Sequence, residues 1–426
     1  MMTVTDYPRI GEKVYHAVLE NGLNVFVTPK PDFGKSYAFF ATNYGGMDMR
    51  FKLGGQWHDT PAGVAHFLEH KMFDTQEGNA LQDLASNGAS PNAFTGSAIT
   101  GYYFESTEKF EDNLRTLLSF VSVPWFTTES VDKEQGIIGQ EIRMIEDNPQ
   151  WRVFMNLMSG LYANHPIRTG VAGTVESISH ITADTLYACH KAFYNPANMA
   201  LCVAGNVEPE RVCDIARQVL PREAGEYTER DHGQTEPKRA AVPKTEVVME
   251  VSTPIFQIGY KGDPVANGPE TLRLQLLGEL TVQALAGPST AVFASLYEQG
   301  LVNSEFECGC ELYPGCVFLC AGGESRDPDE VARRLQQEAE RLVQDGIDPA
   351  LWERLKKAAY GNRVCQLNSF ENLCVDQARH FFLGADALQF PEIFASLTAE
   401  DARQLLKSWV TQERTTLSVV WPKEDT

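Results

Sequence analysis

The segment His66-Phe67-Leu68-Glu69-His70 constrains this chain more than any other feature of its sequence. If the segment is helical, residues four positions apart project from the same face, so the imidazoles of His66 and His70 point in one direction. Glu69 lies one position before His70 and falls within the same arc of the helix surface. Two neutral imidazoles beside a carboxylate suit a zinc ion and a water molecule that needs a base. The segment therefore predicts a metal site.

The residues around this segment favour a helix over residues 61–73. Asp59 and Pro61 stand where helices begin, and the run has no proline or glycine after Gly63. A second face with helical spacing is formed by Val64, Phe67, Leu68 and Lys71. Two histidines and a glutamate can share a helix for structural reasons alone. Charged groups on an otherwise apolar helix need a partner, however, and a metal ion is a good one.

A catalytic zinc ion usually takes three protein ligands and keeps one position open, so a third donor is needed. The richest candidate segment is 131–149. We expect its helix to end before Asn148, because the residue before a proline is pushed out of helical geometry. Spacings of four, three and four residues place one set of side chains on a common face: Glu134, Ile138, Glu141 and Ile145. Glu141 is the preferred ligand, and Glu134 is an outer carboxylate that orients ligands or water. The alternative is that both carboxylates are solvated.

The H-x-x-E-H order of residues 66–70 inverts the common H-E-x-x-H zinc-protease pattern and is the inverzincin signature. Further segments carry a family likeness: 21–23, 88–95, 173–178, 194–199, 203–207 and 296–302. On these residues the chain resembles the pitrilysin/insulinase family of zinc metallopeptidases, and in particular bacterial two-domain members whose motif reads HFLEHK. The likeness is specific in the first half of the chain and looser in the second.

The resemblance implies a role for each residue of the predicted site. It makes His66, His70 and Glu141 the ligands of a Zn²⁺ ion, Glu69 the catalytic base and Glu134 an assisting catalytic carboxylate. Zinc is the expected cofactor, although manganese or cobalt could occupy such a site.

The resemblance also implies where substrate binds. An extended peptide would add to a sheet edge at Asn92, Ala93 and Phe94 through main-chain hydrogen bonds. Phe94 has the alternative of being an ordinary core aromatic residue. The family often places an arginine and a tyrosine over the substrate, and the candidates here are Tyr360, Arg363 and Arg379.

Charge and composition limit the function classes. The 36 lysine and arginine residues against 57 aspartate and glutamate residues give a formal net charge of −21, which argues against a nucleic-acid partner. No apolar run is long enough to span a membrane, and the first residues lack the features of a signal peptide. The nine cysteines are therefore expected as free thiols in the cytoplasm. Four of them, Cys308, Cys310, Cys316 and Cys320, fit no zinc-ribbon spacing and are interpreted as buried strand thiols.

The domain organisation follows from a polar, proline- and glycine-containing stretch at residues 222–245, which is predicted to be a linker. It separates an N-terminal zinc-binding domain, 1–221, from a structurally related non-catalytic domain, 246–426. Both parts alternate strand-like and helical patterns in a similar order. We therefore predict an α+β fold of two similar domains, each a largely antiparallel sheet with helices stacked on it. The family resemblance implies that this fold is similar to that of mitochondrial processing peptidase. The helix at 271–280 in the second part has no histidine.

The sequence thus predicts a zinc-dependent metalloendopeptidase that hydrolyses peptides or small unfolded polypeptides, with Glu69 activating the water. One alternative is a protease that processes a single peptide, and another is a metal-binding but non-catalytic subunit of a peptidase-like heterodimer. By resemblance, the chain should form a homodimer or a heterodimer with a related subunit, because one such chain supplies half of an enclosing shell.

Overall fold

A computed structural model describes residues 2–226 and 228–423 of the chain. The chain forms two compact units, and neither is one continuous stretch of sequence. The first unit comprises Met1–Arg143, Thr169–His232 and Val364–Phe382. The second unit comprises Met144–Arg168, Gly233–Arg363 and Leu383–Thr426.

The first half of the chain contributes nine strands and eight α-helices within the described residues. The strands are β1 (Met2–Tyr7), β2 (Glu12–Val18), β3 (Asn24–Pro29), β4 (Ser36–Thr42), β5 (Arg50–Leu53), β6 (Gln56–Asp59), β7 (Ala89–Thr95), β8 (Thr100–Ser106) and β9 (Met199–Gly205). The helices are α1 (Val64–Met72), α2 (Ala80–Ser86), α3 (Phe110–Ser122), α4 (Thr128–Glu146), α5 (Pro149–Leu161), α6 (Val175–Ile178), α7 (Ala183–Phe193) and α8 (Pro209–Val219).

The second half contributes five strands and seven α-helices within the same described part of the chain. The strands are β10 (Lys244–Met249), β11 (Ile255–Lys261), β12 (Glu307–Tyr313), β13 (Cys316–Glu324) and β14 (Thr415–Pro422). The helices are α9 (Glu270–Ala286), α10 (Ala291–Glu298), α11 (Pro328–Asp345), α12 (Pro349–Gln366), α13 (Phe370–Phe382), α14 (Phe390–Ser396) and α15 (Ala399–Trp409).

Each unit is built on one mainly antiparallel sheet. The first sheet has the strand order β1-β2-β3-β9-β4-β8-β7, in which only the β3–β9 pair is parallel. The second has the order β10-β14-β11-β13-β12, in which only the β10–β14 pair is parallel. Strands β5 and β6 form a separate two-stranded hairpin.

The two sheets repeat one plan. Each sheet contains four strands in equivalent order, β9-β4-β8-β7 in the first and β14-β11-β13-β12 in the second. The strand that comes last in the sequence pairs with the strand that comes first among the four, β9 with β4 and β14 with β11. The other side of that first strand pairs with a hairpin, β8–β7 or β13–β12. This repetition, with helices packed on each sheet, confirms the predicted α+β class with two similar domains.

The compact units differ from the continuous halves expected from the sequence, because each contains a helix from the other half of the chain. Helix α5 lies in the second unit, where it packs on β11 and β14, and α13 lies in the first, where it packs on β4 and β9. The boundaries 1–221, 222–245 and 246–426 remain predictions. Within the predicted linker, the carboxylate of Glu236 accepts a hydrogen bond from the Lys261 ammonium at 2.6 Å and further bonds from three backbone N–H groups at 163–165.

Among the described residues, no helix is both long and apolar enough to cross a membrane.

Candidate metal centre

Helix α1 carries the two histidines and is fixed in place by its apolar face. Phe67 and Leu68 are fully buried in the core of the first unit, so His66 and His70 project from the opposite side and remain partly exposed. The helix begins at Val64 and not at residue 61 as predicted, because Gly63 caps it with a φ of 96°. A Cβ atom at Gly63 would lie 2.6 Å from the carbonyl oxygen of Ala172, so only glycine fits this helix start.

Helix α4 brings Glu141 to both histidines. His66 Nε2 lies 3.5 Å from Glu141 Oε1, and His70 Nε2 lies 3.5 Å from Glu141 Oε2. One donor atom from each of the three residues can be chosen so that all lie within 4.8 Å of one another. Two ligands of a tetrahedral zinc ion, each about 2.0–2.1 Å from it, are separated by about 3.3 Å. The two histidine–glutamate separations of 3.5 Å are close to this value, so the three residues are suitably placed to hold a zinc ion, and each imidazole turns its Nε2 atom towards Glu141.

Glu134 contacts His70 on the side away from Glu141. Its Oε1 is 3.1 Å from His70 Nδ1, the ring nitrogen that faces away from Glu141. A carboxylate on the second nitrogen of a ligating histidine fixes the ring orientation and makes the imidazole a stronger ligand. His66 differs, since its Nδ1 is buried and has no hydrogen-bond partner within residues 2–226 and 228–423. Asn148 is outside helix α4, as expected, and the helix ends at Glu146. Asn148 caps α5 by accepting hydrogen bonds from the N–H groups of Gln150 and Trp151.

The charges around the histidines affect their protonation. Burial lowers the pKa of His70, but the hydrogen bond with Glu134 and the negative charges of Glu69 and Glu141 outweigh it, so that its pKa is raised. The interaction with His66 lowers the pKa of Glu141 despite partial burial. A protonated imidazole has no lone pair for a metal ion. Protons would therefore compete with a metal ion at His70 increasingly as the pH falls towards this raised pKa.

Glu69 is buried, with 9% of its surface exposed, and one of its oxygens is held by a neighbouring strand. Thr95 Oγ1 at the end of β7 donates a hydrogen bond to Glu69 Oε2 at 2.7 Å. Behind it, the Thr100 hydroxyl lies 3.5 Å from Thr95 Oγ1 and donates to the Tyr44 carbonyl oxygen at 2.9 Å. Thr95 is not among the residues that the sequence predicts for the site. The available signal was the alternation of β7, which places Thr95 on the same face as Ala93 and opposite to Phe94.

Asn92, Ala93 and Phe94 lie in β7, which is an edge strand of the first sheet as far as the structure describes the chain. Ala93 packs against the hydrophobic core on the side of α1. Phe94 points to the other face, where its ring stacks on Phe39. Phe94 is partly exposed, so it is not a fully enclosed core residue.

The remaining sequence candidates occupy other places. Tyr360 packs edge-on against Phe390, and Arg363 forms an ion pair with Glu279 at 2.9 Å, both within the second unit. Arg379 is exposed and lies in the first unit over the ring of Phe94. The four cysteines at 308, 310, 316 and 320 lie on the hairpin β12–β13, where Cys310 and Cys316 are buried.

Comparisons with known proteins identify the family of this chain. Residues 53–175 match the family described as insulinase (peptidase family M16), and residues 180–359 match the peptidase M16 inactive domain. The chain is 38% identical to the uncharacterized zinc protease YmfH of Bacillus subtilis, over 99% of this chain and all of that protein. The chain belongs to the M16 family of peptidases. This confirms the resemblance to the pitrilysin/insulinase family.

Solved structures place this M16 chain in the same two-domain fold. An M16-like peptidase from Alicyclobacillus acidocaldarius is 32% identical, with a TM-score of 0.93 over 97% of this chain and 99% of that chain. A protease from Helicobacter pylori shares the fold at 17% identity, with a TM-score of 0.81 over 96% of this chain and all of that chain.

The two glutamates of α4 are expected to differ in their effect on zinc. Glu134→Gln weakens the orientation of His70 and should lower zinc affinity by about 10- to 100-fold, the usual effect of losing an outer partner of a ligand. Glu141→Gln removes the charged group among His66, His70 and Glu141 and should lower zinc affinity further. Competition against a chromophoric chelator measures both values. Glu129→Gln, an exposed position on the same helix, is the matched control, and the reverse order of the two variants would exchange their roles.

Thr95 is expected to affect turnover more than substrate binding. Thr95→Val keeps the shape of the side chain but removes the hydrogen bond to Glu69, and we expect kcat to fall about tenfold with KM nearly unchanged, since hydrogen bonds to charged groups contribute about 1.5–3 kcal/mol. Zinc content should not change. Thr95→Ser retains the hydroxyl and should recover most of the lost rate. Equal rates for the valine and serine variants would show that the hydroxyl has no such role.

Proposed function

We propose that this M16 chain is a zinc-dependent endopeptidase that hydrolyses peptides or small unfolded polypeptides. The observation that carries the proposal is the triangle of His66, His70 and Glu141, with donor atoms at zinc-like separations and Glu69 on the same helix as both histidines. The names of relatives, which are described as zinc proteases, support the same class of reaction.

The residues would share the chemistry as follows. Zinc held by the triangle would polarise the scissile carbonyl and lower the pKa of water at the open position. Glu69 has one oxygen occupied by Thr95, and its other oxygen accepts the proton of the attacking water. It returns that proton to the leaving nitrogen as the C–N bond breaks. Glu134 keeps the ring of His70 in the orientation in which Nε2 faces Glu141.

The substrate would bind as an added strand on β7. The outer edge of this strand has no partner strand among the described residues, and its inner edge is fixed by β8 over the full length of the hairpin. Pairing through the main chain binds extended peptides of many sequences and excludes folded proteins, whose strands are already paired. The Thr95 hydroxyl at the end of the same strand places the base near this edge.

We further propose that the active form contains two chains, either two copies of this one or this chain with a related subunit. The family resemblance supports this, as does the difference between α1, which carries two histidines, and the corresponding α9, which has none. Light scattering of the purified chain measures the state directly. A strictly monomeric and active protein would remove this part of the proposal.

The test of the function combines metal analysis with peptide digestion. The purified chain should contain about one zinc ion per polypeptide and should cleave a mixed peptide library, with cut sites identified by mass spectrometry. Cleavage of one peptide alone would indicate a narrow processing enzyme. Bound zinc with no cleavage, even after addition of a homologous subunit, would indicate a non-catalytic subunit and would contradict the proposal.

A further inference from the structure

A cationic side chain lies beside the edge strand β7, on the sheet face opposite α1. The Cζ atom of Arg379 on α13 is 5.8 Å from the centroid of the Phe94 ring. Phe94 in turn stacks on Phe39, with ring centroids 5.7 Å apart and planes inclined by 11°. A guanidinium over an aromatic face is attracted by the electrons of the ring. We call Arg379, Phe94 and Phe39 the Arg379 platform, and all three belong to the first unit.

The platform has a rigid base. Phe39 is fully buried on β4, an interior strand of the sheet. Gly101 is the cross-strand partner of Phe94 in the β7–β8 hairpin, and a Cβ atom there would lie 2.1 Å from the Phe39 ring. The glycine thus leaves the space that the Phe39 ring fills, and Phe94 rests on that ring. The two rings beneath the guanidinium are therefore held by packed groups of the sheet and not by a flexible loop.

Within the part of the chain that the structure describes, Arg379 forms no ion pair with a carboxylate, although the chain carries a net charge of −21. Arg363 and Arg414, by contrast, pair with Glu279 and Asp263. A guanidinium offers five N–H donors in a planar fork that fits a carboxylate. Its open donors beside a peptide-binding edge suit a carboxylate supplied by the peptide.

We propose that the Arg379 platform selects peptides with a carboxylate at the position beside Phe94. The inference rests on the proposed function, since the peptide must pair with β7. Side chains of an added strand alternate between the faces of the sheet, and those opposite one another on neighbouring strands have Cβ atoms about 4.5–5.5 Å apart. A peptide side chain on the Phe94 face therefore lies within reach of the Arg379 guanidinium. The side chains before and after it face α1 and Glu69.

The preference should be confined to this one position along the edge. The next side chain of β7 on the same face is Asn92, opposite Tyr103. Neither Asn92 nor Tyr103 carries a positive charge, so the preference is not expected to extend to a peptide side chain two positions away.

Binding to a zinc-loaded Glu69→Gln protein tests the inference without requiring cleavage. Fluorescent twelve-residue peptides with one aspartate moved through the central positions are compared with the same peptides carrying asparagine. We expect one position at which aspartate binds about three- to fivefold tighter, as for an ion pair near the surface. Peptides with free and amidated C-termini form a second series. A gain that follows the free C-terminus would assign the carboxylate to the chain end, and a gain that follows aspartate would assign it to a side chain.

Charge reversal at Arg379 gives the deciding comparison. In the Glu69→Gln background, peptides with lysine and with aspartate at the same position are compared, and Arg379→Glu should reverse their order so that lysine binds tighter. A misfolded variant would not gain such a preference. Arg222→Glu, an exposed site in the same unit, makes the same change of net charge and should leave the order unchanged. An unchanged order in Arg379→Glu, or no binding of any peptide, would overturn the inference.

The proposed function can fail separately. If charge-selective binding is found but the protein with Glu69 intact cleaves none of the same peptides, the chain recognises acidic peptides without hydrolysing them. If it cleaves them with no dependence on Arg379, the peptidase stands and the selectivity does not.

Discussion

Glu69→Gln is expected to retain zinc and to lose hydrolysis. The amide has the size of the carboxylate and keeps an oxygen that can accept the hydrogen bond from Thr95, so the packing around this buried residue should survive. It cannot take a proton from water. General bases contribute about 10²- to 10⁴-fold to rate, so kcat should fall by at least about 100-fold. The readouts are zinc content by mass spectrometry and initial rates on a fluorogenic peptide.

A Glu69→Gln protein that cleaves peptides at the normal rate would show that another group is the base. Thermal unfolding of the zinc-loaded variant is the control, since a similar midpoint shows that the rate was lost without loss of the fold. Glu134→Gln makes the same change from carboxylate to amide on α4, and it should reduce zinc affinity more than Glu69→Gln does.

His70→Ala is expected to lose both zinc and activity. The change removes one of three ligands and leaves Glu134 and Glu141 without the imidazole that separates them. Without the zinc ion and the imidazole between them, the two carboxylates repel one another, so His66 and Glu141 should also lose their arrangement. We expect no stoichiometric zinc after dialysis against buffer with a weak chelator, and no measurable cleavage. His180→Ala, at an exposed histidine of the same unit, should retain both, and zinc retained by His70→Ala would contradict the ligand assignment.

The sequence predicted the parts of the site that depend on local spacing. The helical period brings His66, Glu69 and His70 together, and it also places Glu134 and Glu141 on one side of α4, where both are partly buried. The apolar runs between these residues determined which sides face the core. The family resemblance supplied the pairing of the two helices, which spacing alone left open.

Contacts between distant segments were not predictable in this way. Thr95 reaches Glu69 because the hairpin β7–β8 has one register among several that its sequence allows, and a shift of one residue would turn the hydroxyl to the other face. Likewise, α13 has no local signal that assigns it to the first unit. Its position beside β4 and β9 depends on packing between segments more than 150 residues apart in the sequence. The Arg379 platform depends on that position.

The exchange of α5 and α13 between the halves of the sequence affects how the gene can be divided. A fragment that stops at residue 221 would encode all of the proposed metal ligands and the proposed base. It would lack the helix that packs on β4 and β9, including the contact of Phe381 with Phe26. A fragment that starts at residue 246 would lack the helix that packs on β11 and β14. Neither piece carries a complete hydrophobic interior, so recombination or truncation at this apparent boundary would yield two incomplete proteins in place of two autonomous ones.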